Sequence, residues 1–466
     1  MNPAEARIQG VTVTALAEEF GTPLFVYDAG VLKETYRRLR GLLPAAVDVF
    51  YSLKANPNIS VCAVLGAQGA GAEVSSHTEL VTALRAGVAP EDIIFLGPGK
   101  DARDLAACTE AAIHAVVCES LDEVRQLDAL VGESGATEPF PVLLRVNPSF
   151  GSKGSGLAMG GKPRQFGIDE EDVRRAKETL ADLRHVRVKG VHAYMGTRFL
   201  HHEDVVSNTA GILAMAEDLA GHLGVPLETV DFGGGLGVAY FENEEDLDLD
   251  ALGAGVREAV APFAARHPHC RLIMELGRFL TADAGTYVVR ACCVKRSRGE
   301  WFVVADGGTN HHMAAVGIGS FVKRNFPVTH LGRPAEPAAA SYTLTGPLCT
   351  PNDVIAKKVP LPEVAPGDLL GVARSGAYGP TASPGLFLSH GFPAEVLVHR
   401  GRARLVRERD TTEDMLARQR LVDLDRDLDL DRDLDLDRDR ALDPDPGLDP
   451  GPARDPGPGL GRGNAP

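Results

Sequence analysis

The chain has 466 residues, of which 44% are hydrophobic and 24% charged, with a formal net charge of −16. This charge disfavours nucleic acid as a partner because phosphate contacts need clustered Lys and Arg, and no apolar run approaches the roughly 20 residues of a membrane-spanning helix. Seven cysteines without C-x-x-C spacing argue against a disulfide framework or a structural zinc site, and the N-terminus lacks a signal-peptide pattern. We therefore expect a cytoplasmic protein of two folded domains that contacts neither nucleic acid nor membrane.

Eight short apolar runs alternate with amphipathic stretches in the first part of the chain. The stretches at 77–87 and 171–183 have the apolar spacing of helices. Eight strand–helix repeats predict an α/β fold, a parallel (β/α)8 barrel over residues 30–280, and their number favours closure over the alternative of a doubly wound open sheet. The predicted strands are 47–54, 71–76, 93–97, 114–120, 141–148, 188–196, 229–235 and 271–278.

After the barrel the pattern changes to β-rich runs without long helical intervals, which predict a second, mainly antiparallel domain. We assign residues 1–29 and 281–415 to this domain, since the N-terminal run TPLFVYDAG can add a strand to it. Its other predicted strands lie within 286–296, 300–308, 368–379 and 394–408.

The last part of the chain, residues 419–466, has a biased composition. Aspartate occupies every second position from 423 to 439, and Pro and Gly then dominate. Such a segment cannot bury enough apolar surface to order itself, so it predicts a disordered tail.

Lys54 ends the first predicted strand, where the chain emerges from a core. Burial and neighbouring cations would lower the pKa of such a lysine and make its amine a nucleophile; alternatively, its stem lies along the core while the ammonium reaches water. In a barrel the carboxyl ends of all strands share one face, where active sites are built. This convergence favours a functional Lys54, because the other strand ends carry Glu73, Arg145, His192, Tyr194, Thr197, Gly233, Gly234, Gly235, Glu275, Gly277 and Arg278.

A nucleophilic lysine beside a glycine-rich loop suggests pyridoxal phosphate held as a Schiff base. The glycines of DFGGGLG would let backbone N–H groups approach the phosphate, and Arg278 could add a charge-assisted contact. A plain turn is the alternative, whereas a Rossmann fingerprint fails because Val238 replaces its last glycine. Glu275 could face the pyridine nitrogen and keep it protonated.

Other residues are ambiguous by themselves. Cys349 is either a proton donor or a buried structural cysteine, and Tyr378 in RSGAYG carries no clear signal alone. We expect no metal, because adjacent histidines such as His311 and His312 rarely converge on one ion and no HExxH pattern exists.

Taken together, motifs between about residues 22 and 406 resemble those of the fold-type III pyridoxal phosphate decarboxylases, which include diaminopimelate and ornithine decarboxylases. The motifs are YSLKAN, EVSSHTEL, GPGK, RVNP, QFGI, GGGLG, ELGR, DGG, CTPND and GAYG.

The resemblance implies a role for each matched residue. Lys54 would bind the cofactor aldehyde, and Cys349 would return a proton to the substrate carbon, reaching in from the partner subunit of a homodimer whose active sites are shared across the interface. Glu275 would hold the pyridine nitrogen. The other cofactor-binding residues would be Glu73, Arg145, His192, Tyr194, Thr197, Gly233, Gly234, Gly235, Gly277, Arg278 and Tyr378, and the substrate-binding residues Arg278, Arg324, Asp353 and Tyr378.

Departures from the family pattern bear on the substrate. Thr350 stands where diaminopimelate enzymes carry a glutamate, the Arg-Pro-x-x-Tyr segment is absent, and Tyr194 replaces the ring-stacking histidine. Free diaminopimelate therefore fits poorly, because its distal charges would lie unpaired.

The segment 310–327 (NHHMAAVGIGSFVKRNFP) resembles a subgroup from secondary-metabolite and exopolysaccharide gene clusters, above all the L-glutamyl-[acyl-carrier protein] decarboxylases of butirosin-type antibiotic biosynthesis. This implies a glutamyl substrate on an acyl-carrier protein. Two alternatives stay open: a decarboxylase of a free diamino acid or siderophore intermediate, and a non-catalytic regulatory homologue, against which the retained Lys54 and Cys349 argue.

Overall fold

The computed structural model describes residues 5–151, 154–316 and 324–422. Its first large sheet is a closed barrel of eight parallel strands, in which each strand pairs with its neighbours in chain order and the eighth pairs with the first. The predicted barrel is thus confirmed. Its strands are Val47–Ser52, Gly71–Val74, Ile93–Phe95, Ala115–Cys118, Phe140–Asn147, Val186–His192, Thr229–Gly234 and Arg271–Leu276.

Apolar side chains from alternate positions of these strands fill the barrel. Phe50, Ile94, Leu143 and Ile273 belong to one buried cluster supplied by several strands, whereas Val49, Val74 and other side chains between them pack outward in the main core. This two-residue period explains why the strands read as nearly continuous apolar runs, since both of their faces are buried.

Helices surround the barrel and begin close to the strand ends. Ser76 and Ser120, for example, cap the N-termini of helices that follow the second and fourth strands, each by accepting a backbone N–H. These short connections hold the polar strand ends near one another. The helices of this region are Ala29–Leu42, Ile59–Gly66, His77–Arg85, Ala102–Glu110, Leu121–Glu133, Glu170–Arg175, Lys177–Ala181, His202–Leu223, Leu249–Arg266 and Arg278–Thr281.

The second large sheet has nine strands and is mainly antiparallel, as predicted. Strand Gly285–Ser297 is its hub, because it pairs with three neighbours, among them the N-terminal strand Leu24–Asp28. The remaining strands are Glu300–Ala305, Val328–His330, Ala340–Thr345, Val354–Leu361, Leu369–Val372, Ala394–His399 and Arg402–Arg407.

Smaller elements complete the described chain: the paired strands Arg7–Ile8 and Val11–Thr12, helix Val13–Phe20, the paired strands Leu157–Ala158 and Gly196–Thr197, strand Ile168–Asp169 and helix Thr412–Leu416.

A loop of the second sheet meets the barrel at the end of the first barrel strand. The backbone N–H of Tyr378 donates to the carbonyl oxygen of Ala55 at 2.7 Å, and the Asn56 side-chain amide donates to the Gly376 carbonyl oxygen at 3.0 Å. These bonds fix the RSGAYG loop beside Lys54.

Two parts of the sequence interpretation lie outside the described residues: positions 317–323 of the segment 310–327, and positions 423–466 of the predicted tail. Within the described ranges, no helix combines the length and apolar character needed to cross a bilayer.

Candidate active site

A cavity of about 460 Å³ opens at the carboxyl ends of the barrel strands. The structure brings eight of the predicted residues to its wall: Lys54, Arg145, His192, Tyr194, Thr197, Glu275, Arg278 and Tyr378. A small recess beside it is lined by Gly235 and Gly277 together with several of the same residues.

Lys54 lies in a single helical turn, Leu53–Ala55, that follows the first barrel strand. Its Nζ is 2.9 Å from Glu73 Oε2 and 5.7 Å from the centre of the Tyr194 ring. Burial lowers the pKa of Lys54, but attraction by Glu73 and then Glu275 outweighs burial and raises the pKa above its ordinary value. The prediction of a pKa lowered by neighbouring cations is therefore wrong, because the nearest charges are carboxylates.

Glu73 is fully buried at the end of the second barrel strand. Besides Lys54, it accepts hydrogen bonds from the hydroxyl of Ser52 and, at 3.0 Å, from that of Ser75. These three donors compensate the charge that burial would otherwise make costly, so Glu73 is held in place as the partner of the lysine.

Glu275, at the end of the eighth strand, belongs to a buried cluster with His192 and Asp231. His192 Nε2 lies 3.2 Å from Glu275 Oε1 without the alignment of a hydrogen bond. Burial raises the pKa of Glu275, but His192 and then Lys54 stabilise its charge and bring the pKa below the ordinary value. The site thus offers a buried carboxylate on the wall of the cavity.

Arg278 begins the short helix after the eighth strand. Its Nη1 donates to the Tyr240 hydroxyl at 3.1 Å, and its guanidinium lies 4.5 Å from the centre of the Tyr378 ring. Gly235 closes the recess beside it with φ +73°, and a Cβ at this position would collide with the carbonyl oxygen of Gly196. Only glycine permits this close approach of two backbones.

Two buried ion pairs support the wall opposite Glu275. Arg145 Nη1 lies 2.7 Å from Glu119 Oε1, and Lys100 Nζ lies 2.6 Å from Glu123 Oε1. The sequence interpretation missed Lys100, Glu119 and Asp231 as site residues, although GPGK contains Lys100, Glu119 directly follows the fourth strand, and Asp231 lies within the seventh.

Three predicted residues, Cys349, Arg324 and Asp353, lie away from the barrel strands whose ends form the cavity. Cys349 is exposed, and Arg324 lies in another groove, where its Nη1 donates to Asn243 Oδ1 at 3.2 Å. Asp353 is buried, and its two oxygens accept the N–H groups of Thr309 and Leu348 at 2.7 and 2.8 Å. Asp353 therefore braces the loop that carries Cys349.

Gly233 and Gly234 stand behind the cavity wall. A Cβ on Gly233 would meet the Tyr194 ring, and one on Gly234 would meet the Glu275 carbonyl oxygen. Both glycines therefore allow neighbouring strands to place Tyr194 and Glu275.

The arrangement fits pyridoxal phosphate, which presents an aldehyde, a pyridine nitrogen and a phosphate. Lys54 offers an amine to the aldehyde. Within the described residues, the buried atoms Glu275 Oε1 and Arg278 Nε have no hydrogen-bond partner, and such orphaned groups call for a bound group. Glu275 suits a protonated ring nitrogen, and Arg278 beside the recess suits the phosphate.

Comparison with known proteins agrees with this geometry. Residues 29–282 match the family model for the pyridoxal binding domain of pyridoxal-dependent decarboxylases. The chain is 35% identical over 413 residues to the L-glutamyl-[BtrI acyl-carrier protein] decarboxylase of Niallia circulans (87% of this chain and 96% of the relative). It is 31% identical to the diaminopimelate decarboxylase of Pseudomonas aeruginosa over 424 residues (90% and 98%).

Among solved structures, diaminopimelate decarboxylase from M. jannaschii in complex with L-lysine superposes with a TM-score of 0.81 at 26% identity, over 90% of this chain and 98% of that one. The fold, the cavity and these relatives agree, and the chain belongs to the pyridoxal-dependent decarboxylase family as an enzyme that uses pyridoxal phosphate to release carbon dioxide.

Proposed function

We propose that this decarboxylase acts on an L-glutamyl group attached as a thioester to an acyl-carrier protein and gives the 4-aminobutanoyl thioester. The observation that supports this proposal is the wall of the cavity away from Glu275, where no cation of the described residues is left unpaired. Arg145 and Lys100 are paired with Glu119 and Glu123, and the carboxylate of Asp104 accepts a hydrogen bond from the backbone N–H of Asp101. The rest of this wall is largely apolar: Leu96, Pro98, Leu157, Met159 and Phe166.

A wall of this kind favours a substrate whose far end is neutral. Diaminopimelate carries an ammonium and a carboxylate at its far end, and leaving these unpaired in the cavity would cost binding energy. A glutamyl thioester presents an uncharged end instead. Thr350, in the place of the glutamate that diaminopimelate enzymes carry, supports the same choice, as does the likeness to the Niallia circulans enzyme.

Four residues of the site would have a defined role in this reaction. Bound pyridoxal phosphate supplies an electron sink for the electron pair that remains when the carboxylate leaves as carbon dioxide. Lys54 would hold the cofactor through its amine, and Glu73 Oε2, 2.9 Å away, can accept the proton that the ammonium must lose. Glu275 would keep the pyridine nitrogen protonated, while Arg278 would bind the phosphate in the recess.

Return of a proton to the α-carbon requires a donor, and the resemblance to the family assigns this role to Cys349. Cys349 is exposed and does not line the cavity of its own chain, so we propose a homodimer in which Cys349 of the partner subunit protonates the α-carbon. The acyl-carrier protein is the second proposed partner. All seven cysteines are free, which supports a reducing cytoplasm as the location.

The test is a product assay by mass spectrometry on glutamyl-carrier protein, free glutamate, diaminopimelate and ornithine. We expect loss of carbon dioxide from the tethered glutamyl group alone. The Lys54→Ala variant should be inactive on every substrate, whereas Lys295→Ala, which removes an exposed lysine, should match the wild type.

A decarboxylase of free diamino acids is the second candidate, because the diaminopimelate decarboxylases resemble the chain over nearly the same length. Turnover of diaminopimelate or ornithine, with the tethered glutamyl group inert, would replace the first proposal by this one.

A further inference from the structure

Asp231 is an ionisable residue in the interior of the barrel, where apolar residues are usual. It lies in the middle of strand Thr229–Gly234 with no exposed surface, and its register neighbours are His192 on one side and Ile273 on the other. Barrel interiors are normally filled by branched apolar side chains. The resemblance to known decarboxylases assigned no role to Asp231. The reason for a buried aspartate at this position must therefore be sought in its contacts.

The contacts of Asp231 supply that reason. Its Oδ1 accepts the backbone N–H of Gly233 at 2.8 Å, while Oδ2 is buried without a donor among the described residues. A carboxyl oxygen of Asp231, a carboxyl oxygen of Glu275 and a ring nitrogen of His192 lie within 4.8 Å of one another. Two buried carboxyl groups this close repel each other when both are ionised, so the pair favours a proton on one of them, which that group can donate to the other.

We propose that Asp231 holds this proton and acts as a positioning residue, donating a hydrogen bond that orients the Glu275 carboxylate toward the cofactor ring nitrogen. The proposal rests on the cofactor of the family and is independent of the substrate proposed above. In this arrangement the Asp231 carboxyl group donates to Glu275, and the protonated ring nitrogen of the bound cofactor would donate to the same Glu275 carboxylate.

The charges around the pair decide which carboxyl group is neutral. Glu275 faces His192 on the sixth strand and Lys54 on the first, which favour its ionised form. Asp231 faces Glu275 and, farther away, Glu73 on the second strand. Burial, and then repulsion from Glu275, raise the pKa of Asp231 well above its ordinary value, since two adjacent buried carboxyl groups cannot both ionise.

Infrared spectroscopy of the purified holoenzyme at neutral pH tests the location of the proton. Burial also raises the pKa of Glu79 and of Glu395, so the spectra of wild type and variant are subtracted. We expect the wild-type minus Asp231→Asn difference spectrum to contain the carbonyl stretch of one buried carboxylic acid. The difference spectrum of the control Asp250→Asn, which changes an exposed aspartate, should lack this band. An Asp231→Asn difference spectrum without the band would overturn the proposal.

Cofactor binding tests the positioning role, with pyridoxal phosphate itself as the probe. Asp231→Asn retains an N–H donor for Glu275 and an acceptor for Gly233, so its dissociation constant and the pH titration of the bound cofactor's visible absorbance should stay close to those of the wild type. Asp231→Ala should weaken binding by roughly tenfold, the size of one lost hydrogen bond to a charged group, and should shift the titration.

Equal behaviour of the two variants would contradict donation by Asp231, because only one of them can donate. A stoichiometric divalent cation in the purified wild type that disappears in Asp231→Ala would also overturn the proposal, since a cation would then take the place of the proton.

Discussion

Buried titratable residues outside the active site affect how the stability of the protein depends on pH, and His312 is the simplest case. Its ring has no exposed surface and lies among three aromatic rings, with centres 5.7 Å from Phe25, 5.6 Å from Tyr287 and 5.5 Å from Phe326. Its Nε2 is 2.8 Å from the Ser375 hydroxyl oxygen. Burial lowers the pKa of His312 to about 3.

This burial predicts a loss of stability in mild acid. Histidine in an unfolded chain has a pKa of about 6.5. Below that pH the unfolded chain therefore binds a proton while folded His312 stays neutral, and the free energy of unfolding falls by about 1.4 kcal/mol per pH unit. Between pH 7.5 and 5.5 the wild type should lose roughly 1.4 kcal/mol more than His312→Phe in denaturant unfolding. The exposed control His222→Phe should keep the wild-type slope; equal slopes for all three proteins would refute the prediction.

At the residue scale, the sequence indicated eight of the side chains that line the cavity, but not their charge environment. Lys54 was predictable because it ends an apolar strand, yet the direction of its pKa shift depends on Glu73 and Glu275, which come from other strands. Asp231 was missed because one polar residue inside an apolar run has no distinguishing pattern. Both cases need the distances between strands, which a single sequence does not contain.

At the scale of elements, the glycine segment after the seventh strand determines the shape of the recess. Gly235 has φ +73° and approaches the backbone of Gly196. Gly224 offers a matched comparison, because it has the same φ of +73° at the end of helix His202–Leu223, but a Cβ added there would meet no neighbouring side chain or strand within 4 Å. Comparing Gly235 with Gly224 therefore separates the effect of backbone strain from the effect of a steric collision.

Alanine substitutions should therefore affect the two positions differently. Gly224→Ala should cost about 1 kcal/mol of unfolding free energy through strain alone and leave the affinity for pyridoxal phosphate unchanged. Gly235→Ala should destabilise the protein further and weaken cofactor binding by roughly tenfold or more, because the colliding backbones at the recess must separate. Fluorescence titration with the cofactor and denaturant unfolding measure the two effects. Unchanged cofactor affinity in Gly235→Ala would show that the phosphate binds elsewhere.

Elements were predicted well where one physical signal dominated. All eight barrel strands coincide with apolar runs, because strands buried on both faces need them. The helical stretch 171–183 was less accurate, since the chain forms Glu170–Arg175 and Lys177–Ala181 with a break at Ala176. The left-handed backbone of Tyr378, φ +55°, was not predictable, because its hydrogen bond to Ala55 joins residues more than 300 positions apart.

At the scale of the whole molecule, one chain holds the proposed proton donor and the proposed cofactor lysine at different places. Lys54 lies on the cavity wall, whereas Cys349 is exposed on a loop braced by Asp353. A site assembled from two chains reconciles these positions, and a two-fold dimer would form two such sites.

Mixing two inactive variants tests this arrangement. Lys54→Ala and Cys349→Ala should each abolish or strongly reduce activity, since loss of a proton donor alone costs about 10²–10⁴-fold. Dimers formed from one chain of each kind would contain one intact site, so equal co-expression should restore about a quarter of the wild-type activity. Replacing the Cys349→Ala chain by one that carries both substitutions removes every intact site and should restore nothing. If each site belonged to a single chain, the mixture would stay as inactive as its components, and the proton would have to come from a residue beside Lys54.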